Sequence, residues 1–115
     1  MARVLVVEPY PEIRQLLQHI VAGLGFEPVL PDHAAPETLE AIDVLLLEPG
    51  LPGGVELATR LREANLGLPI LVVSIYPPTP EVTALAPVAY LVKPFALAEL
   101  QHRIREAVAL AEVTA

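Results

Sequence analysis

The sequence predicts an α/β fold, a doubly wound five-stranded parallel sheet with helices on both faces, within a single domain spanning residues 1–115. Short runs rich in Val and Leu alternate with longer segments whose apolar residues recur at helical spacing. This alternation is typical of parallel strands joined by crossover helices. The chain has 115 residues, of which 54% are hydrophobic. It can therefore bury the core of one domain but not of two.

Five runs have the length and composition of strands. The runs at residues 3–7, 43–47 and 70–73 are apolar almost throughout, as strands covered on both faces are. Shorter or more mixed runs at residues 26–30 and 88–92 complete the predicted sheet. Because crossovers between parallel strands are right-handed, the handedness of the connections is also predicted.

Four helices are predicted between and after these strands. Pro11 and Glu12 suit a first helical turn, and Gly23 ends the helix that they begin. The other helices are predicted over residues 36–42, 55–64 and 96–113. The last of them has an apolar face at helical spacing, formed by Leu97, Leu100, Ile104, Val108 and Ala111.

Prolines restrict the segment between the fourth and fifth strands. Pro77, Pro78 and Pro80 lack a backbone donor and disfavour helical conformation in the residues before them. Only a helical stub over residues 81–85 is therefore predicted there.

Composition excludes several classes of function. The 7 basic and 14 acidic residues give a net charge of −7, which disfavours binding to nucleic acid or to an anionic membrane. The chain has no cysteine, and His19, His33 and His102 lack metal-ligand spacing, so no zinc site is expected. No run is long enough to span a membrane and the first residues do not form a signal peptide, so a cytoplasmic location is expected.

Four polar residues directly follow apolar strands: Glu8, Glu48, Ser74 and Lys93. Ser74 is the only serine of the chain and Lys93 is the only lysine. Because function in an open α/β sheet lies beyond the carboxyl ends of the strands, we expect these side chains to meet. Lys93 is expected to pair with Glu48.

The segments around these residues resemble the receiver domain of response regulators in two-component signalling, over nearly the whole chain. The matching segments are residues 4–14, 46–54 (Leu-Leu-Glu-Pro-Gly-Leu-Pro-Gly-Gly), 70–74 and 90–95 (Tyr-Leu-Val-Lys-Pro-Phe). The resemblance implies a flavodoxin-like fold with strand order 2-1-3-4-5. It also implies that Glu48 stands at the phosphoacceptor position, that Ser74 and Lys93 bind phosphoryl oxygens, and that Tyr90 is the switching aromatic residue.

The sequence departs from the receiver pattern at two positions that its chemistry needs. Receivers carry a phosphorylated Asp where this chain has Glu48, and a second acid where it has Pro9. A longer nucleophile and a missing carboxylate disfavour both in-line transfer and Mg²⁺ binding. We therefore expect no enzyme activity, no catalytic residues, no metal site, no cofactor and a vestigial phosphoryl pocket.

These departures indicate a stand-alone pseudo-receiver, a signalling and interaction module that works without phosphorylation. Its expected partner is a protein, such as a signalling kinase or an output protein, and a homodimer is a further option. One alternative is a functional receiver phosphorylated at Glu48. The other is a doubly wound domain that binds a small ligand, which is weaker because no Gly-x-Gly-x-x-Gly or Gly-Lys-Ser/Thr motif occurs.

Overall fold

The computed structural model describes residues 1–33, 36–50 and 52–114. Its five strands are β1 (Arg3–Val7), β2 (Glu27–Val29), β3 (Val44–Leu47), β4 (Ile70–Ser74) and β5 (Ala89–Val92). They form one parallel sheet in the order β2-β1-β3-β4-β5. The predicted fold class and strand order are therefore confirmed.

The helices are α1 (Pro11–Gly23), α2 (Pro36–Glu40), α3 (Gly54–Ala64), α4 (Pro80–Thr83) and α5 (Leu97–Thr114). A 3₁₀ turn at Pro31–His33, which the sequence analysis did not predict, follows β2. Leu51, within the segment 46–54 that resembles receivers, lies outside the described residues. None of the described helices is long and apolar enough to cross a membrane.

The sheet is buried on both faces because its strand residues alternate between two hydrophobic clusters. Val4 and Val6 of β1 pack with α1 and α5, whereas Leu5 and Val7 pack with α3 and α4 on the other side. Successive side chains of a strand point to opposite faces, so a strand covered twice must be apolar at every position. This requirement explains the continuous apolar runs.

Two predicted elements are shorter by two residues in the structure. The run at residues 26–30 forms only Glu27–Val29, because β2 is an edge strand whose register with β1 covers three residue pairs. The helix predicted over residues 36–42 ends at Glu40. Ile42 is instead buried at the start of the passage into β3.

The fourth helix is a remnant of four residues, as the prolines predict. It begins at Pro80, one residue before the predicted start, because proline suits the first turn of a helix. The hydroxyl of Thr79 caps this turn by accepting a hydrogen bond from the backbone N–H of Val82 at 3.3 Å.

The predicted apolar face of α5 is wrong at its first residue. Leu100, Ile104 and Val108 are buried, but Leu97 is 54% exposed. Leu97 is the first residue of the helix and belongs to neither hydrophobic cluster. Ala107, which the prediction omitted, is fully buried.

Leu97 and Leu100 give a matched test of the core. Leu100→Ala should lower the free energy of unfolding by about 2–5 kcal/mol, because it leaves a cavity among buried side chains. Leu97→Ala should change the free energy of unfolding by no more than about 0.5 kcal/mol. Urea unfolding of both variants is the measurement, and equal losses would contradict the placement of α5.

Candidate functional site

The four strand-end residues meet at the carboxyl edge of the sheet. Glu8 follows β1, Glu48 follows β3, Ser74 ends β4 and Lys93 follows β5. Backbone pairing continues past the strands. The N–H of Glu48 donates to the carbonyl oxygen of Val7 at 2.8 Å, and the N–H of Lys93 donates to that of Ser74 at 2.7 Å. The ladder therefore fixes where each of these side chains begins.

The carboxylate of Glu48 is surrounded by donors. Its Oε1 accepts hydrogen bonds from the backbone N–H of Gly50 at 2.9 Å and from the hydroxyl of Ser74 at 3.0 Å. Its Oε2 accepts one from the Nζ of Lys93 at 3.3 Å. The side chain is only 3% exposed. Each carboxylate oxygen thus has a partner, which offsets the cost of burying the charge.

Lys93 forms ion pairs with two carboxylates. The predicted pair with Glu48 is present, and the Nζ of Lys93 lies closer still to Oε2 of Glu8, at 3.0 Å. The side chain of Glu8 is fully buried. Two acids and one base leave the cluster with a formal charge of −1. Removing Lys93 would therefore leave like charges facing each other without a cation.

Gly50 permits the close approach of its own loop to Glu48. A Cβ at this position would lie 3.1 Å from Oε1 of Glu48 and 3.5 Å from the ring of Tyr76. The first distance is shorter than an ordinary van der Waals contact. Glycine here lets the backbone N–H reach the carboxylate while the aromatic ring lies beside it.

Hydrogen bonds connect Glu48 to two tyrosines. The hydroxyl of Ser74 accepts from the backbone N–H of Tyr76 at 3.1 Å. The carbonyl oxygen of Tyr76 accepts from the hydroxyl of Tyr90 at 2.8 Å. Sequence reasoning identified Tyr90 but gave Tyr76 no place in this site. The signal for Tyr76 is its position two residues after Ser74, since a serine hydroxyl commonly bonds the backbone two residues on.

The segment after Glu8 brings no further carboxylate to the cluster. Pro9 has no donor or acid, and the side chain of Tyr10 is exposed. Among the described residues, no group of three or more His, Asp or Glu side chains is placed to hold a metal ion. The acids of the cluster are Glu8 and Glu48, and both are bound to Lys93.

Neither the family models nor the curated proteins that were compared match this chain, but solved structures do. A receiver domain protein (CheY-like) from Methanospirillum hungatei is 21% identical, with a TM-score of 0.81 over 100% of this chain and 99% of that one. TrrA from Thermotoga maritima, in complex with Mg²⁺-BeF, is 27% identical, with a TM-score of 0.74 over 93% and 99%. Vibrio cholerae CheY4 is 26% identical, with a TM-score of 0.76 over 93% and 98%. The chain thus has the fold of response regulator receiver domains.

Lys93→Met should destabilise the protein more at pH 7 than at pH 4, relative to the parent at each pH. At pH 7 the variant buries two ionised carboxylates without their cation, at a cost of about 3 kcal/mol. Below pH about 4.3 the glutamates of the unfolded chain are mostly protonated, and protonating one carboxyl in the folded variant removes the repulsion.

Urea unfolding at both pH values is the measurement for this prediction. The control is the same substitution in a Glu8→Gln background, where one charge is already gone and the pH dependence should shrink. Equal losses at pH 7 and pH 4 would show that Lys93 acts through packing alone.

Proposed function

We propose that this chain is a receiver-type signalling domain whose protein contacts do not depend on phosphorylation. The single observation that supports this most is the position of the Glu48 carboxylate. It already holds the hydroxyl of Ser74, the N–H of Gly50 and the ammonium of Lys93. In receivers, the residues at the positions of Ser74 and Lys93 bind the transferred phosphoryl group.

The same contacts disfavour phosphoryl transfer to Glu48. Transfer from a phosphohistidine needs a free carboxylate oxygen aligned with the incoming phosphorus. Both oxygens of Glu48 are hydrogen-bonded, and the side chain is almost inaccessible. The extra methylene of glutamate also displaces them from the position of an aspartate, and an error of about 1 Å can cost about a hundredfold in rate.

The residues at this edge also fit Mg²⁺ poorly. The ion requires near-ideal octahedral geometry and is usually held by one or two carboxylates. The carboxylates of Glu8 and Glu48 both accept hydrogen bonds from the ammonium of Lys93, and Pro9 supplies no carboxylate. A metal would have to displace the ammonium from both carboxylates, so we propose that the domain works without this cofactor.

The consequence for signalling is that the site has one persistent arrangement, which phosphorylation does not switch. The link from Glu48 through Ser74 to Tyr76 and Tyr90 is made by the folded chain itself. One carboxylate carries a charge of −1, less than the charge of about −1.5 to −2 on a phosphoryl group. We therefore propose that Glu48 replaces the phosphoryl group in position and only partly in charge.

The proposed partner is another protein. Receiver domains act through contacts with proteins such as kinases and output domains. The fourth helix, which supplies an interaction surface in other receivers, is reduced here to Pro80–Thr83. The partner of this domain should therefore recognise an altered face. Enzyme activity is not part of the proposal.

Treatment with acetyl phosphate and Mg²⁺ should leave the protein unmodified, because the nucleophile is occupied and the metal site is incomplete. Intact-mass spectrometry is the measurement. A stoichiometric gain of about 80 Da, the mass of one phosphoryl group, that disappears in Glu48→Gln would establish phosphorylation at Glu48 and refute the proposal.

The double substitution Pro9→Asp with Glu48→Asp should allow the protein to be phosphorylated. It supplies the second acid and the shorter nucleophile, so saturable Mg²⁺ binding and the adduct of about 80 Da should both be gained. Pro9→Asn with Glu48→Asn is the matched control, since it has similar shapes without the carboxylates. Failure of the Asp variant to gain either property, while remaining folded, would show that these two positions do not account for the loss.

A further inference from the structure

A cavity of about 550 Å³ opens beside this cluster, at the carboxyl edge of the sheet. We call it the switch-point crevice. Its walls come from the segments after β1, β2 and β3, including Pro9, Pro31 and Gly53. The chain leaves β1 toward α1 on one face of the sheet and leaves β3 toward α3 on the other. Doubly wound sheets bind ligands at such a point, and the volume suits a small molecule.

Two arginines line the switch-point crevice, one from a helix on each face of the sheet. Arg14 belongs to α1 and Arg60 belongs to α3. Arg14 makes one long hydrogen bond, from Nη1 to the carbonyl oxygen of Glu8 at 3.4 Å. The side chain of Arg60 is exposed and forms no ion pair or hydrogen bond with any described residue. Both guanidinium groups therefore remain available to an oxyanion, which arginine binds through paired N–H groups.

The acids near the two arginines do not pair with them. Glu8 lines the crevice, but its carboxylate is bound to Lys93. Pro9 leaves the crevice without the acid that receivers carry there. Asp32 is the remaining acid in the wall, and it pairs with neither arginine. With the charge of −1 on the neighbouring cluster and that of Asp32, the two arginines make the formal charges of this region balance, in a chain of net charge −7. The attraction for an anion therefore comes from the two guanidinium groups themselves.

The rest of the wall suits the organic part of a ligand. Leu30, Pro31, Pro52 and Leu57 contribute apolar surface. The first residues of α3 also line the crevice, and their positive dipole end adds to the attraction for an anion. An anionic group and an apolar body could therefore be held at the same time.

We propose that the switch-point crevice binds a small molecule carrying a phosphate group, whose oxygens are held by Arg14 and Arg60. This inference goes beyond the proposed function, because it concerns noncovalent binding next to the Glu48 cluster. Two guanidinium groups match a phosphate dianion better than a carboxylate, which needs only one. The phosphate source is either inorganic phosphate or an organic phosphomonoester.

Titration of ¹⁵N-labelled protein with inorganic phosphate, at ionic strength held constant with NaCl, tests the phosphate site. The amide signals of Asp32, Gly53 and Leu57 should shift saturably. Arg14→Gln and Arg60→Gln should each weaken binding by about tenfold, the effect of losing one charged hydrogen bond. Asp32→Asn should strengthen it, and Arg105→Gln, an exposed residue of α5, should leave it unchanged.

A parallel titration with AMP and with adenosine distinguishes the two sources. Tighter binding of AMP than of inorganic phosphate, with no binding of adenosine, assigns the site to a phosphomonoester. Equal binding of AMP and phosphate assigns it to free phosphate.

The proposal is overturned if phosphate causes no saturable shift, or if both arginine variants bind it as the parent does. It is also overturned if the shifts centre on Gly50, Ser74 and Lys93, because the anion would then occupy the Glu48 cluster. Thermal unfolding of each variant verifies that it is folded. Arg60 is exposed, so Arg60→Gln keeps the test valid even if Arg14→Gln is unstable. Phosphodonor treatment tests the proposed function separately, since inorganic phosphate does not phosphorylate a carboxylate.

Discussion

The ion pairs of Lys93 with two buried carboxylates constrain everything else at the carboxyl edge of the sheet. Glu8 and Glu48 end neighbouring strands, so the sheet register forces their charges together. Lys93 follows β5, two strands away from β3 in the sheet, and its ammonium group relieves that repulsion. Both acids depend on Lys93, because its loss would leave two like charges buried without a cation. These ion pairs therefore stabilise the folded chain, as the hydrophobic core beneath them does.

The exchange of one acid for a longer one changes what this arrangement can do. The Glu48 carboxylate reaches the hydroxyl of Ser74 and the N–H of Gly50 directly, and Tyr76 and Tyr90 follow by hydrogen bonds. In our proposal the folded chain supplies what a receiver gains by phosphorylation. Pro9 contributes a second effect, since the missing acid leaves the neighbouring crevice to Arg14 and Arg60.

The sequence was sufficient for the sheet and for the meeting of four side chains at its carboxyl edge. Apolar runs covered on both faces have few other interpretations, and each of Glu8, Glu48, Ser74 and Lys93 directly follows such a run. The exposure of Leu97 was mispredicted, because helical spacing does not reveal where a helix passes the edge of a sheet. The contribution of Tyr76 was also missed, as was the crevice that both Arg14 and Arg60 line. Both depend on loops and helices that meet only in the folded chain.

The most direct test of the central claim is an NMR titration of the ¹⁵N-labelled protein with Mg²⁺ and beryllofluoride, a small analogue of a phosphoryl group. The claim is that Glu48 already occupies the donors that such a group requires. It predicts that the amide signals of Gly50, Ser74 and Tyr76 do not change as both reagents are raised to millimolar concentrations. Saturable, Mg²⁺-dependent shifts of these signals would contradict it, because they would show that the pocket still accepts a phosphoryl group.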